Sequence, residues 1–246
     1  MDRWSLVVVL LALAAVVSGH LLEGGSLSLL WNPAAALIVF GGSLLAACAQ
    51  IPLSYFRPLL QLLGWLIVPP VLSFDGLVNK LVTCGHALRR DGVLALEKLA
   101  NIENDVVFRK ALMLLADGYD DDTTRETMEL ELNTLEQRDL DLVGVLDNLA
   151  GYLPTLGIVG AVLGLMQVLS NIQQPDALAQ GIATAFVATF YGVAAANLVV
   201  IPLANTLRQH IAIRRRYYDA MLLGLLSVRQ GVNPASLRFR LQGVVI

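Results

Sequence analysis

The chain of 246 residues is 56% hydrophobic but only 15% charged, well below the roughly 25% charge of soluble domains. This deficit indicates that lipid solvates part of the chain. The formal net charge of −3 argues against nucleic-acid binding, which relies on a dominant basic face. The two cysteines and three histidines are scattered, so no disulfide framework, metal site or other cofactor site is predicted.

Four apolar runs are long enough to cross a bilayer, which takes about 20 apolar residues. They cover residues 5–22, 34–52, 151–169 and 181–203, and none contains Asp, Glu, Lys or Arg. A fifth apolar stretch, 58–72, is short and interrupted by Pro69 and Pro70, which favours an interfacial or buried helix. The sequence therefore predicts an all-α integral membrane protein with four transmembrane helices.

The basic residues predict the topology of these four spans. One precedes the first span, nine lie in 53–150 and seven follow the fourth span, which accounts for all 17 Lys and Arg. The positive-inside rule then places both termini and the 53–150 region in the cytoplasm. We expect transmembrane helices 1 and 2 in 1–52, a cytoplasmic helical domain in 53–150, transmembrane helices 3 and 4 in 151–204, and a cytoplasmic C-terminal helix and tail in 205–246.

The cytoplasmic region has a helical pattern throughout, without the alternation typical of strands. Thr123 and Glu126 have the spacing of a capping box, which predicts a helix from there through Leu149. The acidic run 120–122 just before it suits a helix N-terminus, whose dipole favours negative charge. After the fourth span, 205–228 continues as a helix that is first basic and then apolar.

The third and fourth spans each carry a stripe of small residues at helical spacing. The members are Pro154, Gly157, Ala161 and Gly164 in the third span, and Ala185, Thr189, Gly192 and Ala196 in the fourth. Small stripes allow helices to approach closely in lipid. They could serve ordinary helix packing, or they could surround a partner helix and an ion path, and we weigh both interpretations below.

Two prolines and the absence of ionisable residues complete this reading of the spans. Pro154 and Pro202 lie in the predicted cytoplasmic halves of the third and fourth spans, where each can hinge or kink its helix. Ion pathways usually need an intramembrane ionisable group such as a carboxylate, and the four spans contain no Asp, Glu, Lys or Arg. If the chain conducts ions, a carboxylate must come from another subunit. No catalytic motif is present, so the chain is not expected to be an enzyme.

At this point the sequence resembles the MotA/PomA flagellar stator subunits, within the MotA/TolQ/ExbB proton-channel family. The matching stretches are GGSLSLLWNPAAALIVFGG (24–42), RRDGVLALEK (89–98), LPTLGIVGAVLGL (153–165) and IATAFVATFYGVAAANLVVIPLANTL (182–207). The resemblance implies a homo-oligomeric ring, a pentamer, in the bacterial inner membrane. The ring surrounds a dimer of a MotB-like partner, whose transmembrane helix supplies an essential Asp, and moves against the rotor switch protein FliG.

The resemblance also implies roles for individual residues. Pro154 and Pro202 match the family's paired prolines, and Thr189 matches its pore threonine. The sodium-using branch has a threonine where this chain has Ala161, which implies proton coupling here. The rotor-facing charges fall on Arg89, Arg90, Glu97 and Lys98, which we expect in one short helical stretch; an ordinary solvated face would look the same.

Two alternatives to a stator subunit remain at this stage. One is a TolQ/ExbB-like proton-driven energiser of an envelope system, although chains of that branch have three spans. The other is a membrane scaffold that conducts no ions. The number of spans separates the first alternative from the stator, and ion flux separates the second.

Overall fold

The computed structural model describes residues 3–170, 173, 175–233 and 236–237, and within them every regular element is a helix. The chain divides into two compact units. Unit 1 comprises Met1–Pro69 with Leu140–Arg208, and unit 2 comprises Pro70–Asp139 with Gln209–Ile246. Residues 53–69 and 140–150 group with the apolar helices of unit 1, and the expected cytoplasmic domain in 53–150 stays a prediction.

Unit 1 begins with three helices, α1 (Arg3–Leu22), α2 (Pro33–Cys48) and α3 (Phe56–Gly64). A short 3₁₀ turn, Leu27–Leu30, precedes α2, and another, Leu53–Tyr55, precedes α3. Asn32 caps α2 because its Oδ1 accepts the backbone N–H of Ala35 at 3.0 Å, and Pro33 suits the first helical position. Within α2, Leu37–Gly41 forms a π-helical turn, the first π segment.

Unit 2 contains α4 (Phe74–Asp91), α5 (Leu94–Ile102) and α6 (Val106–Ala116). Asp105 caps α6 through its carboxylate, which accepts the N–H of Val107 at 2.9 Å. Large apolar side chains from these helices and from residues 121–139 and 209–229 form its core. The buried members include Leu77, Leu81, Leu96, Phe108, Leu112, Met128, Met221 and Leu225.

The longest helix, α7, runs from Asp121 to Ser170 without a break. The expected helix through Leu149 and the apolar run from 151 are therefore parts of one helix. The expected cap is wrong, because the Asp120 carboxylate accepts the N–H of Thr123 at 3.2 Å. Asp120 is the better acceptor at this end because it is ionised, and hydrogen bonding from the Thr123 side chain, together with that from its backbone N–H, lowers the pKa of Asp120.

The remaining elements are α8 (Pro175–Ala194), the second π segment (Ala195–Val200) and α9 (Ile201–Arg229). The helix α9 confirms the expectation that 205–228 continues as a helix. Two described helical stretches are long and apolar enough to cross a membrane, Asp121–Ser170 and Leu178–Arg229. The pair Pro33–Cys48 and Leu53–Gly64, bent by 105°, makes a third if counted as one span, and Val7–Leu22 is a shorter apolar helix. The four-span layout therefore stays a prediction.

Candidate functional site

The small-residue stripes of α7 and α8 pack against each other inside the chain. A Cβ atom added to Gly157 would lie 3.0 Å from the carbonyl oxygen of Ala188, and one on Gly164 would lie 2.8 Å from a backbone oxygen of α8. A Cβ on Gly192 would collide with the carbonyl oxygen of Leu153. The backbones approach this closely only because glycine has no side chain.

This packing bears on the expected lining of the ion path, which stays a prediction. Five of the eight stripe residues are buried within the chain: Gly157, Gly164, Ala185, Gly192 and Ala196. They contact neighbouring helices of the same chain, so they serve the helix packing that the sequence left as the alternative. Pro154 and Ala161 are half-buried, and Thr189 is exposed.

A different face of α8 is open. Phe186 is 74% exposed and Val193 is 47% exposed, and Thr189 lies exposed between them. The Thr189 hydroxyl donates to the Ala185 carbonyl oxygen at 3.2 Å, which leaves its oxygen able to accept another hydrogen bond. Asn197, in the second π segment, continues this line of exposed residues, and the open face of α8 is defined by Phe186, Thr189, Val193 and Asn197 together.

The two prolines behave differently in the structure. Pro154 lies inside α7, which continues past it as a regular helix. Pro202 lies two residues beyond the second π segment. Proline lacks the N–H that would bond the carbonyl four residues earlier, and its ring clashes with that carbonyl. The backbone distortion expected near a proline is therefore present before Pro202, whereas none is present at Pro154.

A hydrogen-bonded cluster joins the link before α2 to α8. The Asn32 side-chain amide donates to the Thr184 hydroxyl at 2.7 Å. The Asn32 backbone N–H donates to the Tyr191 hydroxyl at 3.3 Å, and that hydroxyl donates to the Leu30 carbonyl. These groups satisfy one another within unit 1, as polar groups must where water is excluded.

Polar side chains also meet near the ends of the apolar runs. Gln50 donates to the Tyr152 hydroxyl, and Asn148 donates to the Gln50 side-chain oxygen at 3.0 Å. Arg208 and Asp147 form an ion pair. These residues lie at or just beyond the ends of 34–52, 151–169 and 181–203, which agrees with a boundary between apolar and aqueous surroundings at this level of unit 1.

The four candidate surface charges are all exposed, but they do not share one helix. Gly92, with φ of +72°, ends α4 before Leu94 begins α5. The expected single helical stretch is therefore wrong, because only glycine adopts this left-handed conformation readily. Arg89 and Arg90 end the first helix, and Glu97 and Lys98 lie in the second.

The two arginines differ in their contacts. Arg89 donates to the carbonyl oxygens of Gly231 and Val232 at 3.3 and 3.0 Å. Arg90 forms an exposed ion pair with Asp91 at 2.8 Å. That hydrogen-bonded pair raises the pKa of Arg90 and lowers the pKa of Asp91. Arg89 thus helps to hold the end of α9, while Arg90 remains at the surface.

Comparison with known proteins identifies the family. The family model described as the MotA/TolQ/ExbB proton channel family matches residues 99–220. Motility protein A of Bacillus subtilis is 32% identical over 235 residues, which cover 95% of this chain and 87% of that protein. The chain belongs to the MotA/TolQ/ExbB proton channel family.

Two solved MotAB structures are similar to this chain. A structure described as C. jejuni MotAB superposes with a TM-score of 0.92 at 25% identity, covering 100% of this chain and 96% of the other. The flagellar MotAB stator complex from Bacillus subtilis gives a TM-score of 0.87 at 30% identity, covering 99% and 96%. The all-helical fold is therefore that of the A-type chain of these complexes along nearly its whole length.

Sequence reasoning about this family member missed three polar residues that the structure brings forward. Asn32 and Tyr191 form the cluster between the link before α2 and α8, and Asn197 lies on the open face of that helix. Each is a polar side chain within or beside an apolar run. A neutral amide or hydroxyl in an apolar run is the sequence signal for such positions, as an ionisable residue is for an ion path.

Proposed function

We propose that this chain is the A subunit of a bacterial flagellar stator, which conducts protons together with a MotB-like partner and turns the rotor. The observation that carries the proposal is the near full-length similarity to motility protein A and MotAB chains. The open face of α8 adds to it, because it offers Thr189 and Asn197 but no ionisable group. A carboxylate from the partner would complete such a path.

Deletion of the gene in its source bacterium, followed by complementation, tests this function. We expect tethered cells of the deletion strain to stop rotating and a plasmid copy of the wild-type gene to restore rotation. Normal rotation without the gene, in a strain with no other stator genes, would refute the proposal. Co-purification should also recover a membrane protein with one transmembrane Asp and a peptidoglycan-binding domain.

We infer four spans in the inner membrane, with both termini in the cytoplasm. All 17 basic residues then lie on one side, as the positive-inside rule requires. The 105° bend between Pro33–Cys48 and Leu53–Gly64 supports an interfacial helix at 56–64 in place of a fifth span. A reporter fused at Gly25 should read periplasmic and one at Gly118 cytoplasmic. A periplasmic reading at Gly118 would contradict the layout.

We also infer that the coupling ion is the proton. Ala161 is half-buried and has no side-chain oxygen, whereas Na⁺ needs several oxygens to replace its water. Thr189 is the hydroxyl placed to line the path. Rotation should continue when sodium is removed at a constant proton gradient. Arrest under those conditions, with recovery on adding sodium back, would refute proton coupling.

The contact with the rotor switch protein FliG is proposed at Arg90, Glu97 and Lys98. These side chains are exposed, and exposed ion pairs contribute only about 0.2–1 kcal/mol each, which allows a contact to form and release quickly. Arg90→Glu should slow rotation while leaving the amount of assembled complex unchanged. A charge reversal on FliG should partly restore the speed.

Two further variants make this test specific. Arg125→Glu applies the same change of charge at another exposed position of unit 2, and it should rotate normally. Arg89→Glu should also disturb the fold, because Arg89 holds backbone carbonyls of residues 231 and 232. Equal effects of Arg90→Glu and Arg125→Glu would mean that the rotor contact lies elsewhere.

A further inference from the structure

Asn197 is an unusual residue for its place in the chain. It is exposed and lies inside the apolar run 181–203. Its side-chain Nδ2 donates to the Val193 carbonyl oxygen at 2.9 Å, and no described residue donates to its Oδ1. An amide oxygen facing hydrocarbon costs free energy that a water or another polar group would recover.

The second π segment brings Asn197 towards the face that bears Thr189. In an uninterrupted α-helix, eight residues exceed two full turns by about 80°. A π-helical turn holds more residues, because its bonds run from i to i+5, so it rotates the following residues back. The exposure agrees, since Thr189, Val193 and Asn197 are exposed in succession at intervals of four.

Most of the second π segment faces a different environment. Ala195, Leu198 and Val199 line an apolar cavity of about 520 Å³ together with Phe40 and Tyr191. Asn197 does not line that cavity. The one polar side chain of the segment is thus separated from its apolar neighbours and shares its surroundings with the Thr189 face.

We propose that Asn197 is a second polar position on the ion path, two turns beyond Thr189, where its Oδ1 holds a water molecule for the passing proton. The proposal rests on the proposed function as a proton-conducting subunit. A carboxamide does not titrate near neutral pH, so Asn197 orients water and never carries the proton itself. The partner's carboxylate remains the group that binds it.

The test replaces Asn197 on the chromosome of the source bacterium and measures the rotation of tethered cells at a constant proton gradient. Asn197→Leu removes both hydrogen-bonding groups and should slow rotation by about tenfold or more, as expected for one lost water-binding group. Deletion and wild-type complementation in the same strain test the proposed function separately. A failure of that function can therefore be distinguished from a failure of the proposal for Asn197.

Asn197→Asp provides the readout that a purely structural role would not change. When protonated, the carboxyl has nearly the shape of the amide and offers the same kinds of hydrogen-bonding group; when ionised, it places a fixed charge in the path. The rotation speed of Asn197→Asp relative to wild type should rise by about threefold or more as internal pH is lowered from about 8 to about 6. In that range the introduced carboxyl becomes protonated, because apolar surroundings raise a carboxyl pKa.

Asn205→Asp is the matched control. Asn205 is also exposed, but its Oδ1 already accepts a hydrogen bond from Arg208 at 2.9 Å, so its relative speed should not change with pH. Wild-type speed in Asn197→Leu would overturn the proposal. So would a pH-independent ratio in Asn197→Asp, including a loss of rotation that persists at every pH.

Discussion

The two compact units are packed in different ways. Buried side chains of unit 1 are mostly Ala and Val, with glycines where helices touch, whereas in unit 2 Leu is the commonest buried residue and Phe and Met join it. Among its apolar helices unit 1 has polar contacts between neutral groups such as Asn32, Thr184 and Tyr191, and its Arg208–Asp147 ion pair lies at the ends of the apolar runs. Unit 2 carries ion pairs, such as Lys80 with Glu103 at 2.8 Å.

The difference follows from the solvent that each unit is inferred to face. In lipid, apolar burial gives little driving force, so helices gain stability from close backbone approach and dispersion. In water, burial of large apolar side chains stabilises by about 25 cal/mol per Å². Helices of unit 1 therefore meet through their backbones, and helices of unit 2 meet through their side chains. An added methyl group should be tolerated less well in unit 1 than in unit 2.

The largest expected effect comes from placing a methyl group at the backbone contact of unit 1. Gly192→Ala should block assembly, because the new Cβ meets the carbonyl oxygen of Leu153 and no side chain can move aside. The matched control is Gly151→Ala on α7, where nothing lies within 4 Å; it should be neutral or stabilise by about 0.5–1 kcal/mol. Detergent-extracted complex should be quantified by size-exclusion chromatography. Normal assembly of Gly192→Ala would show that the backbones can separate.

A smaller loss of stability, which a second substitution should partly restore, is expected in unit 2. A Cβ on Gly224 would collide with the end of the Leu81 side chain, so Gly224→Ala should destabilise. Leu81→Ala alone should cost about 2–5 kcal/mol by leaving a cavity. In the double variant the added methyl occupies that space, and the loss should be less than the sum. Chemical unfolding of the complex, followed by hydrogen exchange in 74–91, measures this; strict additivity would contradict side-chain packing there.

The smallest expected effect concerns the ion pair between Lys80 and Glu103 in unit 2. Partial burial disfavours the Glu103 carboxylate, but hydrogen bonds from Lys80 and from the Asp105 N–H outweigh it, and the pKa of Glu103 is lowered. A lowered pKa in the folded state gives stability above the ordinary glutamate pKa, which is lost as pH falls through that range. Glu103→Gln should therefore cost about 1 kcal/mol at pH 7 and less at about pH 4.

Thermal unfolding of the wild type and of Glu103→Gln at both pH values measures that difference in stability. The control is Glu97→Gln, which changes an exposed carboxylate and should leave the unfolding temperature almost unchanged at either pH. If the Glu103→Gln difference were the same at pH 7 and at pH 4, the ionised carboxylate would not be the source of the stability.

Several features of the fold were predictable from the sequence because they depend on composition and local pattern. The all-helical class, the helix through 205–228 and the lack of Asp, Glu, Lys and Arg in the apolar runs all follow from periodicity and residue type. The small stripes were visible for the same reason. Their partner was not, because helical spacing shows which residues share a face but not what that face contacts.

The sequence by itself therefore determined that lipid and water would each solvate part of this chain, and that any ion path would need a carboxylate from elsewhere. Only the tertiary structure decided that Gly157, Gly164 and Gly192 pack within the chain, that Gly92 separates the candidate charges, and that Asn197 joins the open face of α8. These outcomes depend on contacts between distant residues and on one π-helical turn, and neither leaves a periodic signal along the chain.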